Sequence, residues 1–238
     1  GASTYGRLRT TAVNTSMRLC GSRFGRGWLR PGASRAVMDA ELAKLVRSNL
    51  VLIKRDIAII NDRFLSAATV KHRLRGVGRV NRAQAEALGL VGMAARASGV
   101  AIDQRAFSGG VFGRFPLPLV VEDGGDCWAR ALVRVHEIDR SLDWLQVVLD
   151  QHGTFASSAQ PLGELGRSQL VVSLCEGWRG EVVHCLETDE RGRLIHYKVQ
   201  DPSLRNWFGL ALALRENEIS DFPICNKSFD LSYCGNDL

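Results

Sequence analysis

The stretch Cys175–Asp201, CEGWRGEVVHCLETDERGRLIHYKVQD, organises the fold that the sequence predicts for this chain of 238 residues. Two runs of alternating polar and apolar residues, Glu181–Leu186 and Leu194–Val199, flank a polar segment that contains Gly192. Alternation with a period of two on both sides of a glycine-bearing turn is typical of a β-hairpin. The sequence therefore predicts a small antiparallel β-element near the C-terminus.

Two charged residues, Glu176 and Arg179, lie at the mouth of this hairpin. Gly177 and Gly180 bracket the arginine, so the backbone can turn tightly and present a carboxylate and a guanidinium on one side. One interpretation is an ordinary hairpin with a surface ion pair, which contributes little energy. The other is a functional pair beside the C-terminal segment, and the spacing alone leaves both open.

Long helices are predicted before the hairpin. Apolar residues recur every three or four positions within Ala36–Phe64, which predicts a long helix with one buried stripe. A second amphipathic helix is predicted over Leu8–Phe24, and a third begins after the capping residue Asp126 and carries an apolar seam to Leu149. The third helix leaves four charged residues to solvent or a partner: Arg130, Arg134, Glu137 and Arg140.

The connecting segments are shorter and rich in turn residues. Asn81 can cap a short helix that Gly89 closes. Phe107–Asp123 holds so many glycine and proline residues that we expect an extended excursion there. The predicted fold class is therefore mainly α, of the α+β type, with a long-helix bundle and a small antiparallel β-hairpin or sheet near the C-terminus.

Composition limits the possible partners. A hydrophobic content of 45% can fill a sizeable core, and a net charge of +6 fits an acidic protein, anionic lipid or nucleic acid. Because no nucleic-acid-binding motif accompanies the charge, no nucleic-acid partner is expected. The apolar runs Leu50–Ile60 and Leu204–Leu214 are interrupted by charges or too short for a bilayer, so no direct membrane span is expected.

The chain shows no pattern for a metal or a covalent nucleophile. Its six cysteines are scattered without a CxxC pair, which favours a reducing compartment. Cys225 and Cys234 do not have a usual zinc or iron–sulfur spacing, so we expect both to be small buried hydrophobic residues. His136 adjoins Glu137, but the second histidine of an HExxH motif is missing. No metal site is predicted.

Five motifs occur in an order that resembles one known family. They are RFGRGWLRPG (Arg23–Gly32), RLRGVGRVNRAQAEALGLVGMAARASGVAIDQR (Arg73–Arg105), GDCWARALVRVHEIDRSL (Gly125–Leu142), EGWRGE (Glu176–Glu181) and the tail from Asp201. Together they resemble the catalytic-subunit family shared by nickel–iron hydrogenases and the 49-kilodalton subunit of respiratory complex I. The tail has the pattern of the large subunit of membrane-bound, formate-hydrogenlyase-type hydrogenases.

The resemblance implies a nickel–iron hydrogenase large-subunit-like fold, with residues 1–238 as its C-terminal part. The family's DPCxxC motif corresponds to Asp230–Gly235, where Ser232 and Gly235 stand in place of the two cysteines. A nickel–iron centre needs thiolate ligands, whereas a serine hydroxyl stays protonated and glycine has no side chain. Cys234 is one residue out of register. No nickel–iron centre, and no other cofactor held by this chain alone, is therefore expected.

The same resemblance implies a candidate pocket. Glu176 and Arg179 match the glutamate and arginine of the family's EAPRG-type turn, and Arg96, Asp103 and Arg105 match its RxSGxxxDxR loop. In the family these positions surround the catalytic pocket. We therefore expect the turn, the loop and the tail near the Ser232 position to converge on a polar cavity.

Two functions follow from the resemblance and stay open. The first is a subunit of a hydrogenase-like or NADH:quinone oxidoreductase-like complex that has NAD and quinone binding among its functions. It would contact an iron–sulfur small subunit that holds the clusters, lie in the cytoplasm peripheral to the cytoplasmic membrane, and bind a quinone or another acceptor. The second is a non-catalytic structural or assembly subunit of such a complex. In either case the chain is not expected to be catalytic alone.

Overall fold

The computed structural model describes residues 2–34, 37–154, 156 and 158–233. The chain forms two compact units, one from Gly1–Ala67 with Asp139–Gly163 and the other from Ala68–Ile138 with Glu164–Leu238. A single long helix, α7 (Cys127–Gln151), contributes residues to both. The structure therefore confirms a mixed α+β class in which long helices predominate.

The first unit consists of packed helices and a small sheet. Helix α1 (Ala2–Cys20) packs along α2 (Ala40–Ser66). The C-terminal half of α7 is joined to α2 by an ion pair in which Arg47 Nε lies 3.2 Å from Asp150 Oδ1. Three short antiparallel strands form the sheet, in the order β1 (Leu29–Arg30), β2 (Ala33–Ser34) and β3 (Ser158–Ala159).

Helix α2 confirms the long helix that was predicted over Ala36–Phe64. Its first turn is capped by Asp39, whose side chain accepts a hydrogen bond from the Leu42 amide at 2.8 Å. The helix predicted over Leu8–Phe24 is also present, but α1 begins earlier and ends at Cys20, and the next residue, Gly21, has the positive φ that often follows a helix C-terminus. The buried stripe of α2 is Ala43, Val46, Leu50, Ile53, Ile57, Ile60 and Asn61.

The second unit combines short helices with a three-stranded sheet. Its helices besides α7 are α3 (Ala68–Leu74), α4 (Arg82–Ala87), α5 (Gly92–Arg96), α6 (Gly110–Arg114), α8 (Ser203–Ala213) and α9 (Phe222–Phe229). Asn81 caps α4 as predicted, in a reciprocal capping box with Gln84. The main apolar cluster joins α4, α5, α7, α8 and α9 and is buried around Val80, Cys127, Cys225 and Phe229.

The sheet contains the predicted hairpin and one further strand. Strands β5 (Gly180–Thr188) and β6 (Leu194–Gln200) pair antiparallel, and β4 (Leu170–Gly177) pairs antiparallel with the other edge of β5. Gly177 and Gly180 are paired, so Trp178 and Arg179 form a two-residue turn between β4 and β5. Glu176 lies near the end of β4, opposite Glu181, and is therefore at the open end of the predicted hairpin, where β4 and β5 form a second hairpin.

Two sequence predictions for this unit were wrong. The segment Phe107–Asp123, expected to lack regular structure, contains α6, and its prolines Pro116 and Pro118 come after the helix rather than inside it. Arg130, expected at the surface, has no exposed side-chain area. The first turn of α7 is buried on all sides because the segment around Gly78 and helix α9 both pack against it.

Buried Arg130 is held by neutral oxygen atoms and an aromatic ring. Its Nη1 donates to the Gly125 carbonyl, its Nη2 to the Gly78 carbonyl and its Nε to the Ser228 hydroxyl, each at 2.8 Å. The guanidinium carbon lies 4.2 Å from the centre of the Phe229 ring. These contacts allow a cation to lie inside an otherwise apolar cluster.

Across the described residues, no helix is both long and apolar enough to cross a membrane.

A close backbone approach in the second unit joins α5 to the β4–β5 turn, at Gly92. This glycine has a φ of +62°, and a Cβ added to it would overlap Gly180 Cα and the Arg179 carbonyl. Gly92→Ala should therefore lower the free energy of unfolding by about 2–4 kcal/mol, since about 1 kcal/mol of backbone strain adds to the cost of overpacking. Urea denaturation followed by circular dichroism measures the loss.

Gly76→Ala is the matched control. Gly76 has a φ of +75°, but an added Cβ would meet nothing within 4 Å. It should lose only the strain component, about 1 kcal/mol. Equal losses in the two variants would contradict the close approach of α5 to the turn.

Candidate functional site

The candidate site is centred on Arg96, the last residue of α5, whose side chain is 2% exposed. Its Nη1 donates to Glu176 Oε1 and to the Ile102 carbonyl, both at 3.0 Å. The same nitrogen lies 3.4 Å from Asp103 Oδ2. Its Nη2 lies 2.8 Å from Glu137 Oε1. One buried cation thus joins the end of α5, the following loop, strand β4 and helix α7.

Asp103 and Arg105 form a forked ion pair beside Arg96. Arg105 Nε donates to Asp103 Oδ1 at 2.9 Å, and its Nη2 to Oδ2 at 2.6 Å. Asp103 also caps the short 3₁₀ helix Gln104–Ala106 by accepting a hydrogen bond from the Arg105 amide. Because two parallel bonds fix a guanidinium in its plane, the Arg105 side chain is held in one orientation.

Glu176 is bound by the loop as well as by Arg96. Its Oε2 accepts a hydrogen bond from the Gln104 amide at 3.1 Å. The Gln104 side chain donates in turn to Glu181 on β5, and Arg205 Nη1 lies 3.4 Å from the same carboxylate. The start of β5 and the end of β4 are therefore both attached to the Asp103–Arg105 loop.

The two buried carboxyl groups of the cluster respond differently to their surroundings. Burial raises the pKa of Glu176, and the hydrogen bonds from Gln104 and Arg96 offset this only in part. Burial also acts to raise the pKa of Asp103, but the hydrogen bonds from Arg105 and the charge of Arg96 outweigh it and hold that pKa below its usual value. Asp103 is thus firmly ionised, and Glu176 accepts a proton more readily than Asp103 does.

Arg179 points to a different part of the chain. Its Nε donates to the Asp230 carbonyl, its Nη2 lies 3.7 Å from Asp230 Oδ2, and the neighbouring Trp178 indole donates to the same carboxylate at 3.0 Å. The expected pairing of Glu176 with Arg179 is thus wrong, because Glu176 lies on β4 and contacts Arg96 and Gln104, whereas Arg179 lies in the turn and contacts Asp230. The structure brings together Arg96, Asp103, Arg105 and Glu176, and connects Arg179 to the C-terminal segment instead.

Ser232 is held through its backbone near the Arg179 contact. Its amide donates to the Ser203 hydroxyl at 3.0 Å, and its carbonyl accepts from the Trp207 indole at 3.1 Å. Trp207 and Tyr233 line an open cleft of about 390 Å³ together with Leu204 and Phe208. The other predicted position, Gly235, and its neighbour Cys234 lie outside the described residues.

The residues present do not fit a nickel–iron centre. Within residues 2–34, 37–154, 156 and 158–233, no three histidine, cysteine, aspartate or glutamate side chains are grouped as metal ligands. At the C-terminal motif, Ser232 offers a hydroxyl and Gly235 offers no side chain where thiolates are needed.

Sequence reasoning missed several residues of the site. Glu137 was left to solvent or a partner, although it lies on the same face of α7 as buried Arg130 and half-buried Arg134, at spacings of seven and three residues. This spacing in the sequence could have indicated that Glu137 lies near Arg130 and Arg134. Burial lowers the pKa of Arg134 to about 10, and the charge of Asp230 partly opposes the shift. Asp230 adopts a left-handed backbone conformation at the end of α9, and no pattern in the sequence predicted it.

Proteins similar to this chain occur in hydrogenases and in a respiratory enzyme. The family model described as the respiratory-chain NADH dehydrogenase 49 Kd subunit matches residues 3–164. Formate hydrogenlyase subunit 5 of Escherichia coli is 27% identical over the whole chain, which covers 42% of that protein. The membrane-bound hydrogenase subunit alpha of Pyrococcus furiosus is 29% identical over 88% of the chain and 53% of its own length.

A third relative comes from the respiratory enzyme. The C/D subunit of NADH-quinone oxidoreductase from Bacteroides thetaiotaomicron is 29% identical over 82% of the chain and 38% of its own length. The chain thus spans about two fifths to one half of the length of these three relatives.

Glu176→Gln and Asp103→Asn should change the pH dependence of stability in opposite senses. The pKa of Glu176 is raised in the folded state, so its contribution to stability is complete below about 4.5, its usual pKa, and is lost as the pH rises above that value. The difference in unfolding free energy between wild type and Glu176→Gln should therefore shrink as the pH rises. A lowered folded-state pKa means that Asp103 contributes fully above 3.8 and loses that contribution as the pH falls below it.

Urea denaturation at a series of pH values measures both effects. Each unit of pKa difference corresponds to about 1.4 kcal/mol. The difference between wild type and Asp103→Asn should shrink toward acid pH, while that for Glu176→Gln shrinks toward neutral pH. Slopes of the same sign in both comparisons would overturn the assignment of the readily protonated group to Glu176.

Proposed function

The chain belongs to the family of the respiratory-chain NADH dehydrogenase 49 Kd subunit, and we propose that it is a subunit of a hydrogenase-like or NADH–quinone-oxidoreductase-like electron-transfer complex. Its membership confirms the resemblance that the motifs predicted. The main support for the proposal is the Arg96 cluster, because three of the motifs that carry the resemblance are in direct contact there. Arg96 lies beside Asp103 of its own motif, Glu137 of the α7 motif and Glu176 of the EGWRGE motif. Three relatives are themselves named as subunits of hydrogenases or of NADH-quinone oxidoreductase.

The proposed fold is that of a nickel–iron hydrogenase large subunit, with residues 1–238 as its C-terminal part. The long helices α2 and α7 and the small antiparallel sheet support this assignment. The short coverage of the relatives, 42% and 53% for the two hydrogenase subunits, supports the interpretation of the chain as one part of such a subunit.

The proposed role does not include a nickel–iron centre in this chain. The chemistry of Ser232 and Gly235 supports this, because neither supplies a thiolate. Iron–sulfur clusters would instead be held by a partner small subunit, with this chain in the cytoplasm and peripheral to the cytoplasmic membrane. The name of the Pyrococcus relative, a membrane-bound hydrogenase subunit, and the lack of a spanning helix among the described residues support that location.

We place a quinone or similar acceptor beside the β4–β5 turn. Arg179 is 31% exposed, so its guanidinium can donate to a ligand carbonyl in addition to its contacts with Asp230. Trp207, which lines the aromatic cleft, donates to the carbonyl of Ser232, two residues beyond Asp230. The cleft and the Arg179 contact therefore lie beside the same C-terminal segment. An apolar cleft beside a few polar groups is a usual setting for an organic ligand.

The alternative proposal is a non-catalytic structural or assembly subunit. The mutual pairing of the Arg96 cluster favours it, since the buried side chains of Arg96, Asp103 and Glu176 form ion pairs with one another. Such a network can fix the β4–β5 turn without any ligand, because a buried charge must keep its partners.

The complex itself can be tested by purifying the tagged chain from membranes of its native host. We expect it to leave the membranes on mild detergent treatment together with subunits that give iron–sulfur electron paramagnetic resonance signals. Hydrogen or NADH should transfer electrons to the clusters that give these signals. The chain purified alone should give no such signals. Recovery of the chain as a free monomer, with no iron–sulfur partner at any detergent concentration, would contradict the proposal.

The acceptor site can be tested with Arg179→Ala and a water-soluble short-chain quinone. Quenching of Trp178 and Trp207 fluorescence reports binding, and the variant should bind about tenfold more weakly because it loses a charged hydrogen-bond donor worth about 1.5–3 kcal/mol. Arg191→Ala is the control, since Arg191 is an exposed arginine at the β5–β6 turn. Unchanged affinity in Arg179→Ala would favour the structural alternative.

A further inference from the structure

A second buried cluster, the thiol cluster, shares no residue with the Arg96 cluster. It consists of Cys127 at the start of α7, Cys225 on α9, and Arg130 with Ser228 beside them. The two sulfur atoms lie 3.9 Å apart, and neither cysteine is more than 1% exposed. The sequence predicted Cys225 to be a small buried hydrophobic residue, and it does lie in the apolar cluster, but it also contacts Cys127 and Ser228.

Arg130 lacks a carboxylate partner among the residues that the structure describes. Its acceptors Gly125, Gly78 and Ser228 are neutral, and its remaining contact is from Nη2 to Cys127 Sγ at 3.5 Å. A guanidinium stays protonated inside a protein, and an unpaired buried charge is costly. The group in contact with Arg130 that can supply a negative charge is the Cys127 thiol.

The other ionisable groups near the cluster have different partners. Asp126 receives hydrogen bonds from the Gly76 and Ala129 amides. Asp221, which precedes α9, is paired with Arg73. Neither carboxylate is in salt-bridge contact with Arg130, so the candidate anion in contact with its guanidinium is the Cys127 sulfur.

We propose that Cys127 is a thiolate that neutralises buried Arg130, and that Cys127 and Cys225 form a dithiol which a hydroperoxide oxidises to a disulfide. The pKa of Cys127 is lowered to about 6, first by its hydrogen bond with Cys225 and then by the charge of Arg130 and the Ser228 hydroxyl. The same hydrogen bond and burial raise the pKa of Cys225. One sulfur is therefore ionised and the other keeps its proton.

This asymmetry suits a stepwise oxidation. The Cys127 thiolate attacks one oxygen of the hydroperoxide, the O–O bond breaks, and hydroxide or alkoxide leaves, so Cys127 becomes a sulfenic acid. Cys225 then attacks the Cys127 sulfur, the S–O bond breaks, and the thiol proton leaves with the hydroxyl group as water. The two sulfurs lose two electrons in total and the peroxide gains them, while the sulfurs close from 3.9 Å to about 2.0 Å.

Oxidation would also remove the negative charge beside Arg130. The guanidinium would then be buried with neutral acceptors only, while the disulfide links α9 to α7 covalently and draws the two helices together at this point. Asp230, the partner of Arg179, directly follows α9. Oxidation at Cys127 is thereby coupled to the position of the C-terminal segment of the candidate site.

The test uses the full chain with Cys20, Cys175, Cys185 and Cys234 replaced by serine, so that two of its six cysteines remain. The native protein is treated with hydrogen peroxide at pH 7, denatured in acid and labelled with a maleimide. Both thiols should disappear together, with a Cys127–Cys225 cross-linked peptide in the digest. Persistence of both thiols after prolonged treatment would overturn the proposal.

Single variants in the same background distinguish the roles of the two sulfurs. In Cys225→Ser, Cys127 should stop at a sulfenic acid that a dimedone reagent traps. In Cys127→Ser, Cys225 should react at least about tenfold more slowly, because a thiol must ionise before it attacks. Equal rates in the two variants would contradict the assignment of the thiolate to Cys127.

Ultraviolet absorbance can detect the Cys127 thiolate directly, without any oxidation. The native background chain should show the ultraviolet absorbance of one thiolate at pH 7, which disappears on titration through about pH 6. Cys225→Ser should retain a thiolate at pH 7, and Cys127→Ser should lose it. Absence of thiolate absorbance at pH 7 in the folded background chain would refute the ion pair.

Discussion

The second unit depends on one buried guanidinium, that of Arg96. Three carboxylates from separate parts of the chain, Asp103, Glu137 and Glu176, lie within 3.4 Å of its terminal nitrogens. Because the cost of burying these charges is offset only when they remain together, a shift of the loop, of β4 or of α7 would leave an unpaired charge inside the protein. The ion pairs therefore matter less for net stability than for holding these three segments in one arrangement.

The backbone at Gly92 imposes a second constraint on the same region. α5 begins where this glycine meets Gly180 and ends with Arg96, so one short helix carries both the steric contact and the cation. The β4–β5 turn is thus held from two sides, through its backbone at Gly180 and through the Glu176 side chain. Arg179 lies between these two attachments and contacts Asp230.

Local patterns in the sequence predicted the elements well and the side-chain partners poorly. Helix α2, its stripe and the β5–β6 hairpin follow from periodicity, which depends only on nearby residues. The partners of Arg130 and Glu137 depend on which distant segments cover α7, and an amphipathic pattern cannot distinguish a charge facing solvent from one facing a buried countercharge. The family resemblance grouped Arg179 with Arg96, Asp103, Arg105 and Glu176; the structure brings the last four together and takes Arg179 to Asp230, and the roles of all five stay a prediction.

The two buried arginines, Arg96 and Arg130, show how the choice of anion sets the chemistry of a buried cation. Arg96 is surrounded by carboxylates, which can lose their charge by protonation but not by oxidation. Arg130 is paired with a sulfur, whose charge can be removed by oxidation as well as by acid. The same physical requirement, a countercharge inside the protein, therefore makes the first cluster a stable support and the second one sensitive to redox conditions.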